Sequence, residues 1–166
     1  MKITSLNKLL IILVLLAIYL VKPLNTYAKN SSSIPEVSYE SINPNNPYYP
    51  LKRVSEKTKI FFLSKFSPEK ENRYILELLD RRMKEFIYIS DNNDLTNFEK
   101  TAIRYNTTAG SLIDSQVKPE SKDLEVISGY TYYLDTIKEK YEYASAYWLL
   151  TQQAKELTQQ ILNGQK

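Results

Sequence analysis

The chain has 166 residues, 22 Lys and Arg against 19 Asp and Glu, and neither cysteine nor histidine. Those two absences exclude Ser-His-Asp and Cys-His catalysis, thiolate or imidazole metal sites and disulfide bracing, so any exported domain must be held by its packing alone. Three of the basic residues (Lys2, Lys8 and Lys22) and none of the acids precede Lys29, so the remainder is charge-balanced and lacks the basic footprint of a nucleic-acid binder.

Residues 1–28, MKITSLNKLLIILVLLAIYLVKPLNTYA, open the chain. Lys2 and Lys8 are followed by an unbroken apolar run over residues 9–21. That is short of the roughly 20 residues a spanning helix needs, and Thr26-Tyr27-Ala28 approximates a signal-cleavage pattern. The segment is expected to be a secretory signal peptide. An uncleaved N-terminal membrane anchor is the alternative, favoured by Lys22 directly after the run and by Thr26. Either way the rest of the chain is expected outside the cytoplasm. It would be secreted or in the cell envelope after cleavage, or tethered to the cytoplasmic membrane without it.

Residues 29–50 read as a disordered linker, because Pro35, Pro44, Pro47 and Pro50 among clustered Ser and Asn oppose both helix and sheet. A helical domain is predicted over residues 51–164. Its first helix has Leu51, Val54, Thr58, Phe61, Phe62 and Phe66 at steps of three and four, one apolar face. Ser67-Pro68-Glu69 restarts a second helix with a capping residue, a proline suited to the first turn and an acid suited to the helix dipole. Ile75, Leu79, Met83 and Phe86 are its predicted core stripe, flanked by Leu76, Leu78 and Ile87.

A third helix is predicted from about Leu95, with Thr96 and Glu99 spaced as a capping box and Leu95, Phe98, Ala102, Tyr105, Ala109 and Leu112 turned inward. Gly110 is expected to bend that helix or end it early. After Pro119 no proline follows. Ile127, Tyr130, Leu134, Ile137, Tyr141, Ala144 and Trp148 form a heptad seam that Thr151, Ala154, Thr158 and Ile161 continue. A continuous helix from about Pro119 to Asn163, roughly 44 residues, would span about 66 Å. The expectation is therefore an all-α, three- to four-helix bundle with a long C-terminal helix.

PYYPLKR, then FSPEK, then LLDRRMKE together resemble the start of a bacterial family described as domain of unknown function 5667. The matching positions are Tyr49, Leu51, Lys52 and Glu56; Phe66, Pro68 and Glu69; and Arg82, Met83 and Glu85, with Tyr105 further on. The resemblance covers about residues 47–113. It implies an exported or membrane-anchored helical domain and carries no established activity.

Lys52 and Glu56 are an i,i+4 pair, and Arg82 and Glu85 an i,i+3 pair, at the edges of their stripes. Glu56 and Arg82 are expected to meet across antiparallel helices and fix their register, bracing the fold rather than catalysing. Tyr49 is expected to pack as a staple where the first helix starts. That helix carries five basic side chains against Glu56 alone. Its charge is expected to be balanced by acids such as Glu120, Asp123 and Glu125, with contact to anionic lipid or envelope polymer as the alternative. Tyr130, Tyr132, Tyr133, Tyr141, Tyr143 and Tyr147 crowd one segment, and no single helix face holds them all. Tyr132, Tyr133, Tyr143 and Tyr147 are the candidate interaction surface. Scattered carboxylates and the lack of a phosphate-binding loop argue against an enzyme. The expected function is a non-catalytic interaction or structural module of the cell envelope, with a protein partner or self-association. No cofactor, metal or nucleic acid is expected, and the membrane only through an uncleaved N-terminal segment.

Overall fold

The structure, a computed structural model, describes residues 38–115 and 118–164, all within the compact unit Ser32–Lys166. The expected signal or anchor and residues 29–37 of the expected linker lie outside the described residues. Five helices follow in order: α1 (Tyr49–Phe66), α2 (Pro68–Asp91), α3 (Leu95–Asp114), α4 (Ser121–Glu139) and α5 (Ala146–Asn163). Among the described residues there is no strand, and no helix is long and apolar enough to cross a membrane.

Helices α2 to α5 form an up-down-up-down four-helix bundle. Paired residues on antiparallel helices keep a constant sum of numbers, and on parallel helices a constant difference. Lys155–Asp135 and Lys138–Gln152 share one sum, so α4 and α5 run antiparallel. Arg73–Asp123 and Tyr130–Asp80 are both 50 residues apart, so α2 and α4 run parallel. The periodic stripes meet at the centre: Leu79, Met83, Phe86, Phe98, Ala102, Tyr105, Ala109, Leu112 and Leu134 are all buried. Phe98 anchors an aromatic cluster, with ring centroids 5.1 Å from Phe86, 4.9 Å from Tyr141 and 5.1 Å from Tyr147.

The predicted long C-terminal helix is two helices. α4 ends at Glu139, and α5 starts after a turn in which Ala144 takes a left-handed conformation (φ 60°). Ser145 caps α5, its hydroxyl oxygen accepting from the Trp148 N–H at 3.2 Å. A straight helix would leave the far half of the seam in water. Folding back buries Thr151, Ala154, Thr158 and Ile161. The two threonine hydroxyls bond the carbonyls four residues earlier, Tyr147 and Ala154, at 2.8 Å each, and Tyr105 Oη meets Thr158 Oγ1 at 2.6 Å. A polar seam thereby becomes buriable.

Smaller expectations also change. α3 is capped by Asp94, which accepts from the Asn97 N–H, rather than by a Thr96–Glu99 box. Leu95, the first residue of α3, is exposed rather than turned inward. Helix α3 continues through Gly110 to Asp114. Residues 38–48, expected as disordered linker, strap the bundle instead. Tyr39 rests edge-on against Tyr88, its hydroxyl donates to Asp91 at 2.9 Å, and Asn97 donates to Asn45 at 2.7 Å.

Helix α1 lies outside the bundle, packed on α2, and it is turned the opposite way from the prediction. Its buried residues are Tyr49 and Glu56, while Leu51, Val54, Phe61, Phe62 and Phe66 face out.

Candidate functional site

The polar seam between α1 and α2 explains that orientation. Tyr49, Lys52 and Glu56 recur at three and four residues, one face of a helix, and they oppose Arg82 and Glu85 on α2. Arg82 Nη1 lies 2.8 Å from Glu85 Oε1, and its Nη2 donates to Glu56 Oε2. Lys52 Nζ reaches Glu85 Oε1 at 2.7 Å, Glu40 Oε2 at 2.9 Å and the Ile42 carbonyl at 3.0 Å. Arg53 Nη1 adds a second donor to Glu56 at 2.7 Å. The Tyr49 hydroxyl donates to Glu85 Oε2 at 2.9 Å and accepts from Arg104 Nη1 of α3 at 3.1 Å. Tyr49 is thus a hydrogen-bonding member of the seam rather than an apolar staple.

All four expected bracing residues therefore meet in one network, joined by Glu40, Tyr49, Arg53 and Arg104. Arg82, Glu85 and Glu56 side chains are 2%, 0% and 4% exposed. Burial works to raise the Glu85 carboxyl pKa, but the charges of Arg82 and Lys52 and hydrogen bonds from Lys52 and Tyr49 outweigh it and hold Glu85 below its ordinary range. Burial likewise works to lower the Arg82 pKa, and Glu85 and Glu56 reverse the sign. Tyr49 is pushed up by burial and by the Glu85 charge, which keeps it a neutral donor. A seam of this kind fixes register better than it adds net stability, because each ion was taken out of water to make it.

With Glu56, Lys52 and Tyr49 held inward, the apolar positions of α1 are forced outward. Phe66 is 78% exposed, Leu51 66% and Val54 61%. Phe61, Phe62 and Phe66 touch in sequence, with centroids 5.9 and 6.4 Å apart. At about 100° per residue, Lys57 and Lys59 fall on opposite edges of this apolar arc. Lys65 lies within it, its ammonium 4.4 Å from the Phe61 ring centre. Two of the three acids expected to balance these lysines are engaged elsewhere, Asp123 with Arg73 at 2.7 Å and Glu120 with Lys122 at 2.8 Å, and the third, Glu125, makes no ion pair with them among the described residues. Spacing had located the stripe, and the signal that it faces outward was the second, polar stripe on the same helix.

The four candidate surface tyrosines do not form one patch. Tyr133 and Tyr147 are half-buried against the bundle core. Tyr132 and Tyr143 are exposed but stand in separate ring pairs, Tyr132 with Tyr133 at 5.6 Å and Tyr143 with Trp148 at 4.7 Å. An open groove near the N-termini of α2 and α4 is lined by Glu69, Lys70, Arg73, Lys118 and Asp123 among others. Its central charges pair with each other across it. Among the described residues, no group of three or more acidic side chains is arranged to hold a metal ion.

No family model matches the sequence, and no curated protein and no solved structure matches it.

Proposed function

We propose that the protein is a non-catalytic module of the cell envelope whose working surface is the outer face of α1. The observation that carries this reading is the inverted helix: Leu51, Val54, Phe61, Phe62 and Phe66 exposed in one arc, above a polar seam that holds that arc outward. Contiguous exposed apolar surface on a folded domain marks an interaction site. The apolar run over residues 9–21, behind two lysines, supports an extracytoplasmic location. The best-organised carboxylates, Glu56 and Glu85, are buried and bridged by Arg82, where no substrate reaches them, which supports a role without catalysis. The likeness to the domain of unknown function 5667 family belongs to the same reading. Tyr49, Lys52, Glu56, Arg82 and Glu85, five of its matched positions, are seam residues.

The test is photo-crosslinking in intact cells with a benzophenone amino acid at Phe62 on α1 or at Gln159 on the exposed side of α5. Adducts to an envelope component are expected from position 62 and not from 159. Adducts from 159 alone, or none from 62, would overturn the reading.

A further inference from the structure

We infer that the occupant of the outer face of α1 is the surface of an anionic lipid bilayer, along which this helix lies. The inference rests on the reading that this face is the docking surface, and names what it docks on.

The chemistry of the face selects among occupants. α1 has a single acid, Glu56, and it is buried with Arg82 and Arg53. Lys57, Lys59 and Lys65 are exposed and make no ion pair among the described residues. Lys59 and Lys65 instead lie over aromatic rings, Lys59 3.8 Å from the Tyr74 ring centre and Lys65 4.4 Å from that of Phe61. The outward side thus combines an aromatic-aliphatic arc with cations alone. Phe and Leu on one side, with Lys57 and Lys59 along its edges and Lys65 within it, is the pattern of a helix lying at a membrane interface, the lysine stems reaching up to the headgroups.

A second copy of the chain fits poorly. Two α1 faces brought together would set lysines against lysines. An 18-residue helix is about 27 Å long, and a face about 10 Å wide gives roughly 300 Å², against the ~800 Å² per partner of a stable interface. A polyanionic envelope polymer would satisfy the lysines and leave Phe61, Phe62 and Phe66 in water. A surface with anionic groups above and hydrocarbon beneath satisfies both at once.

The cysteine-free sequence permits a direct test with the full chain. Ser55→Cys places the only thiol in the apolar arc, and Gln159→Cys places it on α5. Each protein is labelled with an environment-sensitive fluorophore. It is then reconstituted into vesicles of phosphatidylcholine alone or with phosphatidylglycerol, part of the lipid brominated as quencher. The label at 55 is expected to be quenched in phosphatidylglycerol vesicles at low salt and released at high salt, with the label at 159 unquenched throughout. Lys57→Gln, at an exposed and unpaired position, is expected to lower the docked-to-free ratio about fivefold, and Lys65→Gln by a similar factor.

Equal quenching in neutral and anionic vesicles would overturn the inference. So would a label at 55 that stays unquenched in phosphatidylglycerol, or one shielded before lipid is added. Energy transfer between copies labelled at 55, without lipid quenching, would name a second copy instead. Absence of quenching while position 62 still crosslinks a protein in cells sinks only the lipid; absence of both sinks the docking surface as well.

Discussion

The bundle of α2–α5 and the outer helix α1 are held by opposite physics. In the bundle, apolar stripes with helical spacing face one another, and burial of Phe86, Phe98, Leu79 and Leu134 does the work. At α1 the stripe faces water, and the buried contact is a set of ions and one tyrosine. Hydrophobic burial is non-directional and tolerates small changes of angle. An ion network with Arg82 at its centre is directional, so it dictates which face of α1 turns inward even against the preference of its phenylalanines. The comparison teaches that a helix can be oriented by its minority residues when a complementary set awaits it.

The sharpest way to break that comparison is to remove one member from each side. Phe98→Ala empties the centre of the bundle and is expected to cost about 3–5 kcal/mol of global stability. Arg82→Ala leaves Glu56 and Glu85 buried without their shared cation, at a comparable cost of about 3–5 kcal/mol. The two should differ in where the loss is felt. In native-state hydrogen exchange, Arg82→Ala is expected to release α1 first, whereas Phe98→Ala lowers protection across α2–α5 together.

A double-mutant cycle on Glu56→Gln and Arg82→Gln is expected to give a coupling of about 1–3 kcal/mol in chemical denaturation. Additive losses would show that the ion pair does not set the α1 register.

The pH response separates the regions further. Glu85 has a folded pKa held below its ordinary 4.5, so its contribution is complete above that value and is lost as pH falls through the folded value. Protection of α1 is therefore expected to persist at neutral pH and to fail as acidification passes below the ordinary carboxylate range, ahead of the apolar bundle. At the other extreme, burial and Asp80 push the Tyr130 pKa well above 10, and burial raises that of Tyr49. Their contributions are full below pH 10 and decline as pH rises beyond it, because the unfolded chain ionises first. Melting temperature against pH checks both limbs.

Smaller effects are expected at the periphery. Ser145→Ala removes the cap of α5 and is expected to cost about 1 kcal/mol. Ala144→Gly relieves the left-handed alanine and is expected to gain up to about 1 kcal/mol. Phe66→Ser, on the outer face, is expected to change stability by less than about 0.5 kcal/mol, while altering what α1 docks to. A large loss of stability from Phe66→Ser would mean that the face is covered within the chain itself.

Much of the fold was legible because periodicity reports where apolar surface lies. The stripes Ile75–Leu79–Met83–Phe86 and Phe98–Ala102–Tyr105–Ala109–Leu112 are the core helices, and Ser67-Pro68 and Pro119 mark real breaks. The break at residues 140–145 was hidden because the heptad seam continues across it, and its signal was only Ser145 three residues before Trp148. The seam residues Lys52, Glu56, Arg82 and Glu85 were legible as a set, but of the two expected intrahelical pairs only Arg82–Glu85 forms: Lys52 bonds Glu85 and Glu40, and Glu56 bonds Arg82 and Arg53. Their union with Tyr49, Arg53, Arg104 and Glu40 was not, since it joins positions up to 55 residues apart.

By itself, then, the sequence determined an all-helical chain, the stripes that make its core, and the chemistry that a molecule without histidine and cysteine forgoes. Only the tertiary structure decided that the last helical stretch folds back and that α1 shows its phenylalanines to the outside. The physical reason is the same in both cases. Helical spacing is a local property that states which residues share a face. Which way that face turns depends on partners elsewhere in the chain: the core that Ala154 and Ile161 reach by doubling back, and the buried arginine that Glu56 must meet.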